Sequence, residues 1–167
     1  MLDVGILGLA PGDVRHVRVP VAIDPLRFGG EAYDVEPAAA GAKIELQATA
    51  GGLYVKLHLA ATVVGPCYRC LEPARTRVTV KASEYHEYGA DPRSDELICE
   101  YLHGDELDVD AWARDALVLA LPGKILCRPD CAGLCPRCGV RLEPGVEHDC
   151  APVEPDSRWD ALRQLLE

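Results

Sequence analysis

The chain contains no apolar run approaching the roughly 20 residues that a bilayer-spanning helix needs, which excludes a helical membrane protein. Its start, Met1-Leu2-Asp3-Val4-Gly5, lacks the basic-then-apolar layout of a secretory leader, so the thiols are expected to be reduced, as in the cytoplasm. Basic residues are few: 17 Lys and Arg stand against 27 Asp and Glu, a formal net charge of −10. A protein so acidic lacks the field that generic binding to a phosphate backbone uses. The sequence also lacks a phosphate loop, an HExxH zincin helix, an HxE…PCxxC deaminase pattern and a GxSxG nucleophile elbow. Its many carboxylates have no defined partners of the kind a nuclease would need. These absences leave no reaction class, and a protein that is not an enzyme is expected.

What is present fits a globular body with a small appendage. The 167 residues are 49% hydrophobic and 26% charged, enough to bury a core. Charge is unevenly spread: between Glu84 and Asp115 eleven acids meet only Arg93 and Arg114. That run suits a basic partner protein or simply a solvated face. The stretch 69–81, in contrast, holds Arg69, Arg75, Arg77 and Lys81 against Glu72 alone.

The cysteines are eight in number, and five of them fall in LPGKILCRPDCAGLCPRCGVRLEPGVEHDC, residues 121–150. Within it, Cys135-Pro136-Arg137-Cys138-Gly139 is a zinc-knuckle sequence. Two thiolates three positions apart can share one ion, and Gly139 accepts the positive φ that turns backbone N–H groups toward the sulfurs. The other candidate ligands also pair: Cys67 with Cys70, Cys127 with Cys131, and His148 with Cys150. Only Cys99 is left over, as a buried core thiol. Tetrahedral zinc takes four N or S ligands, so one or two ions are possible. In one arrangement Cys67, Cys70, Cys127 and Cys131 hold the first ion and Cys135, Cys138, His148 and Cys150 the second. In the other, a single ion sits on Cys127, Cys131, Cys135 and Cys138, leaving Cys67 and Cys70 as a dithiol. Sulfur ligands fill the sphere in either case, which points to a structural metal rather than a catalytic one. A thiol oxidoreductase using Cys67/Cys70 is the rival. It would want the pair at a helix N-terminus, whereas this pair lies between strand patterns.

The fold class expected is α+β: a mostly antiparallel sheet or partial barrel, a buried helix, a zinc-binding C-terminal segment and a short terminal helix. Period-two alternation predicts strands over 14–23, 42–49, 53–64 and 74–88, with shorter ones near 31–35 and over 96–102. Gly51-Gly52 predicts a tight hairpin turn with positive φ angles. Trp112, Ala113, Ala116, Leu117 and Ala120 share a helical stripe over 107–121, capped by Asp108 or Asp110. Val118, Leu119 and Leu121 make that helix apolar nearly all round, hence largely buried. Trp159, Leu162, Leu165 and Leu166 predict an amphipathic helix behind Pro152 and Pro155. The division expected is a β-rich body over 1–122, a zinc-binding segment over 123–151 and a terminal helix over 152–167.

Four elements occur in order: CxRCLEP from Cys67 to Pro73, LALP from Leu119 to Pro122, CxxxCxGLCPxCGxxL from Cys127 to Leu142, and DxRWxxLxxL from Asp156 to Leu165. Together they resemble the YceD family, the large ribosomal RNA subunit accumulation proteins, over most of the chain from about Ala42 onward. One departure is His148, where zinc-bearing relatives commonly show Cys. The resemblance implies a cytoplasmic, non-enzymatic factor for synthesis, processing or stability of large-subunit ribosomal RNA. It also implies a link to a large-subunit ribosomal protein or pre-ribosomal particle. The basic stripe Arg75, Arg77 and Lys81 on one strand face reads first as a solvated face and, beside such a partner, as the RNA contact. Some relatives lack the CPxCG finger but keep the CxRC pair and a later His/Cys segment, which favours the two-ion arrangement.

Overall fold

In a computed structural model, residues 1–37, 41–90 and 97–150 are described. The expected helix over 152–167 lies outside them. The elements in order are β1 (Leu2–Asp3), a 3-10 turn (Gly5–Leu7), β2 (Val14–Val19), β3 (Leu26–Phe28), β4 (Glu31–Pro37), β5 (Ala42–Ala48), β6 (Gly52–Pro66), β7 (Pro73–Glu87), β8 (Leu102–His103), β9 (Glu106–Leu107) and α1 (Val109–Ala120).

The organising strand is β6. All 15 of its residues pair antiparallel with β7, from Gly52↔Glu87 to Pro66↔Pro73. Its other edge is shared: Leu53 to His58 pair with β5, and Ala61 to Val64 with β4. β2 extends the sheet beyond β5, and β3 beyond β4. Among the described residues the sheet is open and does not close into a barrel. β1, β9 and β8 make a separate small sheet.

The alternation read from the sequence is the alternation of burial. Ile44, Leu46, Val55, Leu57, Val63 and Val80 point inward and are almost wholly buried, each contributing roughly 1.5–3 kcal/mol by removal from water. Against them, along β7, lies α1. Its N-cap is Asp108, whose side chain accepts from the Ala111 N–H at 3.0 Å. Trp112 is inserted into the core and stacks on Tyr101 with ring centroids 6.0 Å apart.

Several expectations need correction. Residues 97–101 form no strand; Leu97 is exposed, Cys99 is buried, and the short β8–β9 hairpin follows. The helix buries one face only: Val109, Trp112, Ala113, Ala116 and Leu117 are inside, while Leu119 is 88% exposed. The first long strand stops at Val19, before Pro20, which has no N–H for a ladder. Finally, neither Gly51 nor Gly52 takes a positive φ. The turn is held by Thr49, whose Oγ1 accepts from the Gly52 N–H at 3.0 Å. Gly52 is needed for room: a Cβ there would stand 2.3 Å from the His86 carbonyl oxygen on β7.

Candidate metal centres

The β6–β7 pair ends in a six-residue turn, Cys67 to Glu72, whose backbone is stapled by Cys67 N–H donating to the Glu72 carbonyl (2.7 Å) and Leu71 N–H to the Cys67 carbonyl (3.0 Å). The Arg69 N–H points at Cys67 Sγ, 3.5 Å away. Residues Cys135 to Val140 repeat this turn position by position. Cys135 N–H donates to Val140 (2.7 Å), Gly139 N–H to Cys135 (2.9 Å), and Arg137 N–H faces Cys135 Sγ at 3.4 Å. CYRCLE and CPRCGV are thus the same knuckle.

No glycine follows Cys70, whereas Gly139 follows Cys138. Leu71 nevertheless adopts φ +63°, matching Gly139 at +72°. A side chain in that left-handed region costs roughly 1–2 kcal/mol. Leu71 is 63% exposed, beside Tyr68, Phe28 and Ile125 in a groove of about 510 Å³. Leu71→Gly should therefore raise stability by about 1 kcal/mol, read as a higher denaturant midpoint at unchanged metal content. A lower midpoint would show that the leucine's contacts outweigh its strain.

The eight predicted ligands come together in two groups. Cys67, Cys70, Cys127 and Cys131 form one; Cys135, Cys138, His148 and Cys150 form the other, and within each group the ligand atoms lie within 4.8 Å of one another. The single-ion alternative, which joined Cys127 and Cys131 to Cys135 and Cys138, is not the arrangement seen. In the first group Cys67 Sγ lies 3.8 Å from Cys131 Sγ, and Cys70 Sγ 3.6 Å from Cys127 Sγ. Zinc–sulfur bonds of 2.3 Å in a tetrahedron give a sulfur–sulfur edge of about 3.8 Å, so the donor set fits that ion. In the second group Cys138 Sγ is 3.2 Å from His148 Nε2.

The two settings differ. The first is in the core: Cys67, Cys70 and Cys131 are buried. The chain after α1 is laid on the turn by Tyr68 N–H to the Ile125 carbonyl (2.8 Å) and by Arg69 Nη1 to the Cys131 carbonyl (2.6 Å). The second stands at the surface, with Cys138 and His148 exposed. Arg128, next to Cys127, links the two through a 2.7 Å ion pair to Glu143.

Each group polarises its thiols. Burial works to raise Cys67, but the backbone N–H groups of Cys127, Cys70 and Arg69 outweigh it and bring the thiol down to about 6. The Cys138 and Arg137 N–H groups bring Cys135 to about 6 as well. Their companions move the other way. Burial, then the neighbouring thiols, push Cys127 up to about 12, and Cys150 rises to about 11 through Cys138 and burial. One thiolate per group is favoured and further negative charge is resisted, an imbalance that a divalent cation relieves. Cys99 stays outside both groups, its thiol raised by burial.

Comparison with known proteins identifies a family. The family model described as large ribosomal RNA subunit accumulation protein YceD matches residues 55–166, a span that includes both knuckles. Uncharacterized proteins of Mycobacterium bovis and Mycobacterium tuberculosis are each 36% identical to this chain over 99% of its length and 80% of theirs. An uncharacterized protein of Mycobacterium leprae is 29% identical over 99% of the chain and 77% of its own length. No solved structure matches. No helix among the described residues is long and apolar enough to cross a membrane.

Proposed function

Because this chain belongs to the YceD family, we propose that it is a non-enzymatic, zinc-binding factor of ribosome biogenesis, acting in the cytoplasm to support synthesis, processing or stability of large-subunit ribosomal RNA. The observation that carries the reading is the family match across the two knuckles. Zinc would supply only cross-linking charge: Cys67, Cys70, Cys127 and Cys131 would hold one ion, and Cys135, Cys138, His148 and Cys150 the other. The chain's own residues do the rest. The two turns aim N–H groups at sulfur, the Arg69 guanidinium fastens the post-helix segment, and the four sulfurs of the first centre would fill the sphere of a tetrahedral ion.

The partner would be a large-subunit ribosomal protein or a pre-ribosomal particle. Acids between Glu84 and Asp115 offer a basic protein a complementary face, and Arg75, Arg77 and Lys81 offer an RNA contact. A thiol oxidoreductase using Cys67/Cys70 is disfavoured by the same geometry, since the pair opens onto β7 and its sulfurs face Cys127 and Cys131.

Deleting the gene should lower the ratio of large to small subunits and accumulate immature large-subunit RNA, both restored by the native chain but not by a Cys67→Ser copy. Normal subunit profiles in the deletion strain would sink the proposal.

A further inference from the structure

The outer face of the sheet carries charge of the opposite sign to the whole chain. Register places Arg18 of β2 opposite Lys43 of β5, Lys43 opposite His58 of β6, and His58 opposite Lys81 of β7. All four side chains are exposed. With strands about 4.8 Å apart, the row runs roughly 14 Å across the sheet without a carboxylate in it. Arg77 stands on the same face of β7, four residues before Lys81. Nearby acids are already engaged: Glu45 with Lys56 at 2.7 Å and His16 at 3.3 Å, and Glu36 with Arg75 at 2.6 Å. Among the described residues, Arg18, Lys43, Arg77 and Lys81 have no carboxylate partner. Where Arg18, Lys43 and His58 meet, the surface dips in a hollow of about 430 Å³, whose wall also holds His16 and the Glu45 carboxylate that Lys56 neutralises. Beyond Lys56 along the strands, Tyr54 and Tyr85 form the next cross-strand pair, both partly exposed.

Like charges set opposite each other weaken a sheet. An acidic chain needs no such row for solubility, so a polyanion is the natural occupant. Aromatic rings farther along the same face, beyond the Glu45–Lys56 pair and with Lys56 over the Tyr54 ring at 5.3 Å, favour nucleic acid over an acidic protein, because bases stack on them while carboxylates gain nothing there. An open, flat strand face suits splayed single strands; it has no element to insert into a duplex groove.

We propose that this face binds single-stranded RNA, with Arg18, Lys43, Lys81 and Arg77 along the phosphates, His58 within the row, and Tyr54 and Tyr85 under the bases. This deepens the ribosomal-RNA reading and rests on it for the identity of the RNA, though not for the binding itself. It moves the contact from one strand to four, adding Arg18, Lys43 and His58 to the stripe on β7.

The test uses the metal-loaded full chain and a labelled mixed-sequence single-stranded oligoribonucleotide of about 12 nucleotides, titrated by anisotropy between about 50 and 200 mM salt. Removing three phosphate contacts in an Arg18→Ser, Lys43→Ser, Lys81→Ser variant should weaken binding by about tenfold or more and reduce the salt slope by about 2 units. Arg114→Ser, on the exposed face of α1, should change neither. Tyr54→Ala with Tyr85→Ala should weaken binding by about tenfold at an unchanged slope. No binding by the native chain, or a native-like slope in the triple variant, overturns the inference. So does equal affinity for duplex RNA, or displacement only by polyglutamate. A deletion strain with a ribosomal-RNA defect that the triple variant fully rescues would leave the family reading standing and refute the face. Normal ribosomal RNA in the deletion strain, with slope-sensitive binding in vitro, would do the reverse.

Discussion

Exchange of Cys131 for serine should release one ion and destabilise the entire chain by about 4 kcal/mol or more. The magnitude follows from where the first centre sits. It joins the β6–β7 turn to the segment after α1; Cys70 and Cys127, whose sulfurs meet, are 57 residues apart. A cross-link closing a loop of that size removes denatured-state entropy equivalent to about 4 kcal/mol on the chain-entropy account. Serine also leaves an uncompensated group among buried sulfurs. A domain of this size has roughly 5–15 kcal/mol in hand, so the loss approaches global unfolding. Cys138→Ser should also release one ion, yet barely move the main transition, because its ligands lie outside the core cluster and span only 135–150. Thermal melting with far-UV circular dichroism distinguishes the two variants. Equal effects would mean that the two centres are not divided between core and surface.

Trp112→Ala should cost about 3–5 kcal/mol, and Leu119→Ala less than about 0.5. Both residues lie on α1, seven positions apart, and the sequence pattern treats both as apolar helix positions. Trp112 is 1% exposed, stacked on Tyr101 and surrounded by the β-sheet core; Leu119 is 88% exposed. Truncating the first leaves a large cavity where α1 packs on β7, whereas truncating the second removes an exposed side chain. Denaturant midpoints of the paired variants measure the difference directly. A large loss at Leu119 would mean that this face of α1 is covered in solution.

What the sequence disclosed, and what it withheld, divides along physical lines. Strand alternation was legible because β5, β6 and β7 are inward-facing on one side and wet on the other, so burial prints its period on the residues. Helix burial was not, since Val118 and Leu119 carry no mark of which face meets the sheet. The stretch 97–101 looked like a strand because Leu97, Cys99 and Tyr101 alternate, but only Cys99 among them is fully buried, and the backbone turns at Glu100–Tyr101 with isolated hydrogen bonds and no ladder. All eight gathered ligands were legible as types at spacings. Their division into two groups was one of two arrangements open to spacing and the one favoured by the resemblance; long-range geometry decides it, because Cys67/Cys70 and Cys127/Cys131 are linked by topology alone. Leu71 shows the limit of a glycine signal: the hydrogen bonds of the turn hold a leucine at φ +63°. Aligning CYRCLE on CPRCGV would have revealed the repeated knuckle. The basic row Arg18–Lys43–His58–Lys81 could not be seen at all without strand register, since its members come from four separate strands.

We expect two metal ions to clamp the post-helix segment, one to the sheet and one to itself. Metal analysis of the purified native chain, by mass spectrometry under non-denaturing conditions, tests it most directly. Two zinc ions per chain are predicted, falling to one in both Cys131→Ser and Cys138→Ser. A folded native chain that holds no metal, or a single ion lost only through Cys138→Ser, would contradict it.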